Sequence, residues 1–305
     1  MTPEPRETVV VDGLGLANEL RQQIADAVAR HVADGRRPPC LAVVLVGDDP
    51  ASASYIKGKQ RACGRVGMDS VEHRLPGSTR EAEVIEVVER LNRDEGVDGI
   101  LVQLPLPKGV RATAVAEAVD PAKDVDGLHP INAGYLLLGQ PGVVPCTPLG
   151  IMKILEQHQI ALEGAHAVVV GRSAIVGKPI ALLLQRAHAT VTMCHSRTRD
   201  LAAVCREADV LVAAVGVPRL VKADWIKPGA AVIDVGVSAV DGALVGDVDT
   251  ESATGIASIV TPHRRGVGPM TITMLLVNTL AAYEQGCAGE RGEARASDVD
   301  PPARP

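Results

Sequence analysis

The chain has 305 residues, with 31 Lys and Arg against 37 Asp and Glu and a formal net charge of −6. This length predicts two domains, and the acidic balance, with cations scattered rather than blocked, excludes a protein held to nucleic acid by charge. The N-terminus has no apolar signal core and no apolar run reaches the ~20 residues of a bilayer span, so the expectation is a soluble, cytoplasmic protein without membrane contact.

Residues 1–8 read as a loose leader. Leu16, Leu20, Ile24, Val28 and Val32 recur at helical spacing and predict a helix that stops near Gly35. Leu41-Ala-Val-Val-Leu-Val46 is a short apolar run, the pattern of a strand buried on both faces. A turn at Gly47–Pro50 leads into a helix that ends near Gly67. On it Ser52, Tyr55 and Lys59 stand three and four residues apart and share a face, so a hydroxyl, a phenol and an amine converge. The chain has only three Tyr, one Trp and no Phe, which makes that pairing conspicuous. A solvated face with one half-buried ring is the competing reading. Further strands are predicted at Val71–Leu75 and Gly99–Gln103, with a helix between them capped by Ser78 and Glu81. The order β-α-β-α-β indicates a parallel α/β sheet.

A polar loop spans Lys123–Asn132. Thr147 followed by Pro148 predicts a helix start and marks the domain boundary. Beyond it, strands at His166–Val170, Thr190–Cys194, Val210–Val215, Ala231–Val235 and Ser258–Val260 alternate with helices near 178–187 and 199–207, a second α/β unit. Pro269 opens an apolar helix, Met270–Gln285. The stretch from Ala288 to Pro305 has no periodicity and is expected to be disordered. Cys40, Cys63, Cys146, Cys194, Cys205 and Cys287 form no Cys-x-x-Cys and no zinc spacing. They read as buried thiols in a reducing compartment, and no metal is expected.

Gly171-Arg-Ser-Ala-Ile-Val-Gly177 follows a strand and opens a helix. In that context backbone N–H groups and the positive helix end hold a pyrophosphate. Ser173 stands where the middle Gly of the usual dinucleotide fingerprint would be, so a plain βα turn competes. The end of the next strand, where an NAD site carries an acid, reads Cys194-His-Ser-Arg-Thr198. Ser196, Arg197 and Arg172 suit a 2′-phosphate, which points to NADP; loop-end solvation of two Arg is the competing reading. His195 reads as a strand-end residue rather than an acid or base. Tyr-x-x-x-Lys also occurs in short-chain dehydrogenases, but there the glycine turn precedes the Tyr. Here it lies far downstream, and that family is excluded.

Six runs in order, Tyr55–Lys59, Asp98–Pro107, Lys123–Gly127, Pro145–Gly150, Gly171–Pro179 and Gly266–Thr271, resemble the bifunctional methylenetetrahydrofolate dehydrogenase/methenyltetrahydrofolate cyclohydrolase family over roughly residues 40–285. The resemblance implies an N-terminal parallel-sheet α/β catalytic domain, a Rossmann-type NADP domain and a cleft between them. Residues 1–146 with 271–287 would bind folate, 147–270 would bind NADP, and 288–305 would be a disordered tail. It implies oxidation of 5,10-methylenetetrahydrofolate with NADP+, hydrolysis to 10-formyltetrahydrofolate, and a homodimer.

Lys59 matches the family's catalytic lysine; an amine held out of bulk water can accept a proton or order a water. Gln103, at a strand end, can bond Lys59 or the one-carbon unit, against a reading as sheet-edge solvation. Tyr55 offers a ring for the pterin and a phenol for orientation. Asp126 can accept two bonds from the guanidine-like pterin edge, against an Asx turn before Gly127. The resemblance implies further substrate contacts at Ser52, Gly268 and Pro269, and cofactor contacts at Gly171, Arg172, Ser173, Ile175, Val176, Gly177, Ser196, Arg197 and Val237. Two departures stand out. His263-Arg264-Arg265 replaces the family's usual Val-Pro-Gly, and Ser238 replaces an Asn. If residue 265 has positive φ, an Arg there costs about 1–2 kcal/mol. The cationic run motivates a second reading, a folate- and NADP-binding paralogue with weak, altered or only one of the two activities.

Overall fold

The computed structural model describes residues 7–297. In chain order they form β1 (Val9–Val10), α1 (Gly13–Ala33), β2 (Cys40–Val46), α2 (Pro50–Arg65), β3 (Asp69–Leu75), α3 (Glu81–Arg93), β4 (Gly99–Val102), α4 (Ala112–Ala118), α5 (Pro130–Leu138) and α6 (Cys146–Gln157). Then follow β5 (His166–Val170), α7 (Gly177–Arg186), β6 (Thr190–Cys194), α8 (Leu201–Cys205), β7 (Val210–Ala213), β8 (Ala231–Asp234), β9 (Ser238–Val240), β10 (Ala243–Val245), α9 (Thr250–Ala253), β11 (Ile259–Val260) and α10 (Val267–Ser297). By their contacts they group into two units. One holds residues 7–21 with Pro130–Met274; the other holds Gln22–His129 with residues 275–297.

In the first unit six strands pair in the order β1-β11-β8-β7-β5-β6, all parallel. Parallel strands covered on both faces need continuous apolar runs. β7 and β8 are accordingly buried at every position. Counted from β5, the order is doubly wound: β6 lies to one side of β5, and β7, β8 and β11 to the other. The direction of winding reverses between β5 and β7. At such a reversal the loops leave the strand ends in opposite directions and open a crevice at the carboxyl edge.

In the second unit the parallel order is β3-β2-β4, with β2 in the middle and buried at all seven positions. The stripe Val84, Val87, Val88 and Leu91 of α3 joins the core formed by Val44, Val46 and Ile100. Beside β4 runs a loop instead of a strand. Ile100 N donates to Lys123 O at 2.7 Å, and Ile100 and Asp124 form a parallel bridge.

Several expectations are corrected. Residues 7–8 are not loose: Thr8 Oγ1 donates to Ala257 O at 2.7 Å and accepts from Gly255 N at 2.8 Å, and β1 extends the six-stranded sheet. α5 packs on α7, and by contacts Pro130 onward groups with the first unit. Glu83, not Glu81, reaches back, accepting Arg80 N at 2.8 Å, so α3 starts two residues after its expected cap Ser78 would place it. Thr147 does not cap α6, which already starts at Cys146; its hydroxyl instead meets Thr271 Oγ1 at 3.0 Å. The expected disordered tail is helical through Ser297, because Ala, Glu and Arg extend an established helix without an apolar face. Leader residues 1–6 and tail residues 298–305 lie outside the described residues. Five of the expected buried thiols are buried; Cys287 is only half-buried.

Two carboxylates sit inside the first unit. Asp234, at the end of β8, is buried and accepts Asp247 N at 2.8 Å and Val248 N at 3.2 Å. A Cβ at Gly246 would overlap the Asp234 carboxylate, and one at Gly236 the Asp247 carboxylate, which is why both positions are Gly. Burial outweighs the backbone donors and pushes the Asp234 carboxyl up to about 7. The folded state therefore holds a proton that the unfolded state has released. The resulting stabilisation is complete below the unfolded value of 3.8 and is lost as pH rises to about 7. Urea unfolding between pH 4 and pH 8 is expected to show the wild type losing a few kcal/mol relative to Asp234→Asn across that window. Parallel curves for the two proteins would remove the assignment.

Candidate active site

Asp49 sets up α2. Its carboxylate accepts Ser52 N at 2.8 Å, and Pro50 supplies a residue without N–H where no partner exists. The Asp-Pro pair in the sequence was the signal for this cap. One turn further Tyr55 is 39 % exposed, and at the next turn Lys59 is 7 % exposed. The Lys59 ammonium lies 4.7 Å from the Tyr55 ring centroid, a cation–π contact that the i, i+4 spacing creates. Ser52, on the same face, is buried.

Gln103 follows β4 and comes from 44 positions away. Lys59 Nζ donates to Gln103 Oε1 at 3.0 Å, and Gln103 Nε2 donates to Leu104 O at 2.7 Å. The two bonds fix the orientation of the amide: its oxygen must face the cation and its NH2 the carbonyl. Gln103 is thus not sheet-edge solvation. Asp126 lies on the loop beside β4. It sits in the turn that follows the isolated Ile100–Asp124 bridge, where Gly127 N donates to Asp124 O at 3.2 Å. Asp124 closes this loop, accepting Leu128 N at 3.2 Å and His129 N at 2.8 Å, while Gly127 takes φ 70°. Ser52, Tyr55, Lys59, Gln103 and Asp126 all belong to the second unit.

The glycine turn lies at the carboxyl end of β5, beside the winding reversal. Gly171 has φ 133°, and a Cβ there would overlap Ala214 O; a Cβ at Gly177 would overlap Gly171 O. Ser173 departs from the fingerprint but serves the turn, its Oγ accepting Val176 N at 3.1 Å and Gly177 N at 3.2 Å. Arg172 and Ile175 are exposed on the turn, and Val176 is half-buried. The parallel register Val170–Cys194, with Gly171 N donating to Cys194 O at 2.9 Å, brings the two strand ends level; Ser196 and Arg197 are exposed in the turn after β6. His195 is a strand-end residue: its N donates to Thr198 Oγ1 at 2.9 Å and its Nδ1 accepts Arg197 N at 3.1 Å. Val237, 56 % exposed, follows β8 on the same edge. A tight glycine cradle with a hydroxyl and two unburied guanidiniums at its rim fits a dinucleotide bearing an additional phosphate.

Gly268 and Pro269 fall in the first turn of α10 and belong to the first unit; Pro269 O accepts Arg21 Nη2 at 3.1 Å. Before them Arg265 has φ 64°, the left-handed conformation that an Arg resists. Its guanidinium meets Asp12 Oδ1 at 3.3 Å, a surface pair worth about 0–1 kcal/mol. Arg265→Gly is expected to raise stability by up to about 1 kcal/mol, whereas Arg265→Ala keeps the strain and loses the pair. Thermal unfolding decides: a Gly variant that melts below the Ala variant removes the strain reading. His263 and Arg264 are exposed. Among the described residues no three His, Cys, Asp or Glu side chains form a metal-holding group, and no helix is long and apolar enough to cross a membrane.

Residues 11–126 match the family model "Tetrahydrofolate dehydrogenase/cyclohydrolase, catalytic domain", and residues 145–287 match the corresponding "NAD(P)-binding domain". The chain is 52% identical over 274 residues to the "Bifunctional protein FolD" of Exiguobacterium sibiricum, covering 90% of this chain and 99% of the relative. It is 54% identical over 277 residues to that of Sorangium cellulosum, covering 90% and 96%. Among solved structures, it superposes on the bifunctional methylenetetrahydrofolate dehydrogenase/cyclohydrolase of Campylobacter jejuni with a TM-score of 0.90, 43% identity and coverage of 91% and 99%. The Trypanosoma brucei dehydrogenase-cyclohydrolase, solved with NADP cofactor and an inhibitor, gives a TM-score of 0.88 at 37% identity, covering 92% and 99%. With both family models matched in order and half of the residues identical to relatives over nine-tenths of its length, the chain belongs to the tetrahydrofolate dehydrogenase/cyclohydrolase family.

Proposed function

We propose that the chain oxidises 5,10-methylenetetrahydrofolate to the 5,10-methenyl form with NADP+ and hydrolyses that cation to 10-formyltetrahydrofolate. Family membership together with the Lys59–Gln103 bond carries this reading. NADP+, when bound, takes the hydride that leaves the methylene carbon. Every other part of the work falls to the chain. Tyr55 packs its ring on the pterin, and Asp126 accepts the N–H groups of the pterin's guanidine-like edge. Gln103 holds one ammonium hydrogen of Lys59, so the amine is aimed rather than free to rotate. In the hydrolytic step water adds to the methenyl carbon and loses one proton, and the bond from that carbon to N5 then breaks as the hydroxyl proton passes to N5; Lys59 orders the water and, as the neutral amine, accepts the proton that is released. Ser52 supports the helix face. The family resemblance adds Gly268 and Pro269, at the start of α10, as substrate-binding residues. The folate chemistry belongs to the unit that holds Lys59. NADP belongs to the unit that holds Gly171, with Arg172, Ser196 and Arg197 on its 2′-phosphate and Ser173, Ile175, Val176, Gly177 and Val237 lining the rest. The active form is a cytoplasmic homodimer, a reading that rests on the family resemblance and that sedimentation of the purified protein tests.

The relatives lend no support to a weakened paralogue. Initial rates with 5,10-methylenetetrahydrofolate test the function, comparing NADP+ with NAD+ and following reduced cofactor and the methenyl intermediate together. Reduction of NADP+ without accumulated methenyl signal, after correction for spontaneous hydrolysis, is the expected result. No reduction in a protein that binds NADP+ would overturn it.

A further inference from the structure

Asp247 is completely buried, between β10 and α9. Its Oδ2 accepts two consecutive backbone N–H groups, Val215 at 2.6 Å and Gly216 at 3.0 Å. Those residues leave the carboxyl end of β7. Just before them stands Ala214, whose N donates to Val170 O at 2.8 Å and whose carbonyl is the surface on which Gly171 packs. The 214–216 turn is therefore the β7 wall of the crevice, directly against the glycine turn that forms the β5 wall. Ser238 Oγ holds the same turn from its other side, donating to Gly216 O at 3.1 Å. Asp247 is itself held in place by its backbone N on Asp234 Oδ1 at 2.8 Å.

The remaining oxygen, Asp247 Oδ1, has no hydrogen-bond partner among the described residues. A buried carboxylate with an idle oxygen costs stability, and a native exception of this kind calls for a reason beyond folding. Holding two successive N–H groups on one carboxylate oxygen draws both amides to a single point and stiffens the turn.

We propose that Asp247 is a positioning residue of the dinucleotide site, fixing the Val215–Gly216 turn so that the crevice is formed before the cofactor arrives. The proposal rests on the reading of Gly171–Gly177 as the cofactor turn. A preformed wall spares the ordering cost that binding would otherwise meet, so its loss appears in affinity rather than in the chemical step. Asp234 and Ser238 act through the same turn, the first by setting Asp247 and the second by holding Gly216 O.

The test uses the full chain, with Asp247→Asn beside an Arg197→Ala control. Binding of NADP+ is followed by calorimetry, steady-state rates give KM and kcat, and amide hydrogen exchange is read at Val215 and Gly216 in cofactor-free protein. Asp247→Asn is expected to raise the NADP+ Kd and KM about tenfold, the equivalent of one charge-assisted hydrogen bond, with kcat at saturation changed less than about threefold. Exchange at Val215 and Gly216 is expected to quicken by a similar factor while β8 amides stay protected. If Arg197→Ala weakens NADP+ and a folded Asp247→Asn does not, the inference is overturned and the cofactor turn stands. If Arg197→Ala also leaves NADP+ binding intact, the cofactor-turn reading fails and takes the inference with it. Should Asp247→Asn not fold, the wild type decides: protected Val215 and Gly216 amides in the cofactor-free protein support the preformed wall, and unprotected ones overturn it.

Discussion

Lys59→Met is expected to lower cyclohydrolase turnover by about 100-fold or more, the range of a lost general acid–base group, while the NADP+ dissociation constant stays within about twofold. Met fills nearly the same volume as the Lys stem, so the substitution removes the ammonium and little else. Lys59 is 7 % exposed, and its nitrogen donates to Gln103 at 3.0 Å, so no bulk-water amine can take over its place. The Gly171–Gly177 turn, proposed for the cofactor, lies in the other unit and should not register the change. Gln103→Leu is the companion variant. It removes the hydrogen bond from Lys59 to the amide while keeping the amine, and it is expected to retain more turnover than Lys59→Met while still falling well below wild type. The measurement is hydrolysis of 5,10-methenyltetrahydrofolate after subtraction of the spontaneous rate. Full turnover in Lys59→Met would sink the assignment.

The second large effect concerns cofactor choice. Arg172→Ala with Arg197→Ala is expected to cut the preference for NADP+ over NAD+ by about 100-fold, because each hydrogen bond to a charged phosphate is worth about 1.5–3 kcal/mol. The two residues leave neighbouring parallel strands whose register, Val170 beside Cys194, brings their turns level. NAD+ kinetics should change little, since it has no 2′-phosphate for these side chains to meet. The ratio of kcat/KM for the two cofactors is the readout. An unchanged ratio would mean that the guanidiniums are solvated loop ends. Raising the ionic strength should weaken NADP+ binding in the wild type more than in the double variant, since the charges involved are exposed.

Local rules carried much of the reading. Ser52, Tyr55 and Lys59 share a face because a helix repeats every 3.6 residues, and no knowledge of the rest of the chain is needed to see it. The buried strands were legible as Val-rich runs, and the strand–glycine turn–helix at 166–186 announced itself by composition. Positive φ at Arg265 was legible only through the family's Gly at that position, and the backbone has it at 64°. Caps were less legible. Ser78 and Thr147 have the right chemistry, yet Glu83 and Thr271 compete for the groups involved, and those contests are settled by geometry. The short helices α4 and α5 were missed because seven and nine residues give too few turns for a period to emerge.

By itself the amino-acid sequence determined the α/β class, the family, the shared helix face of Ser52, Tyr55 and Lys59 and the cationic residues in the turns after β5 and β6. Each is a matter of residue type at short spacing, where backbone geometry leaves little choice. Only the tertiary structure decided which partner Lys59 has, that β1 completes a six-stranded sheet from the far end of the chain, and that Asp247 ties down the turn after β7. Those contacts join residues 44, 250 and 32 positions apart. Nothing in a local pattern encodes such distances, because they arise when apolar strands are buried and the polar groups left among them must find the donors and acceptors that packing happens to bring near.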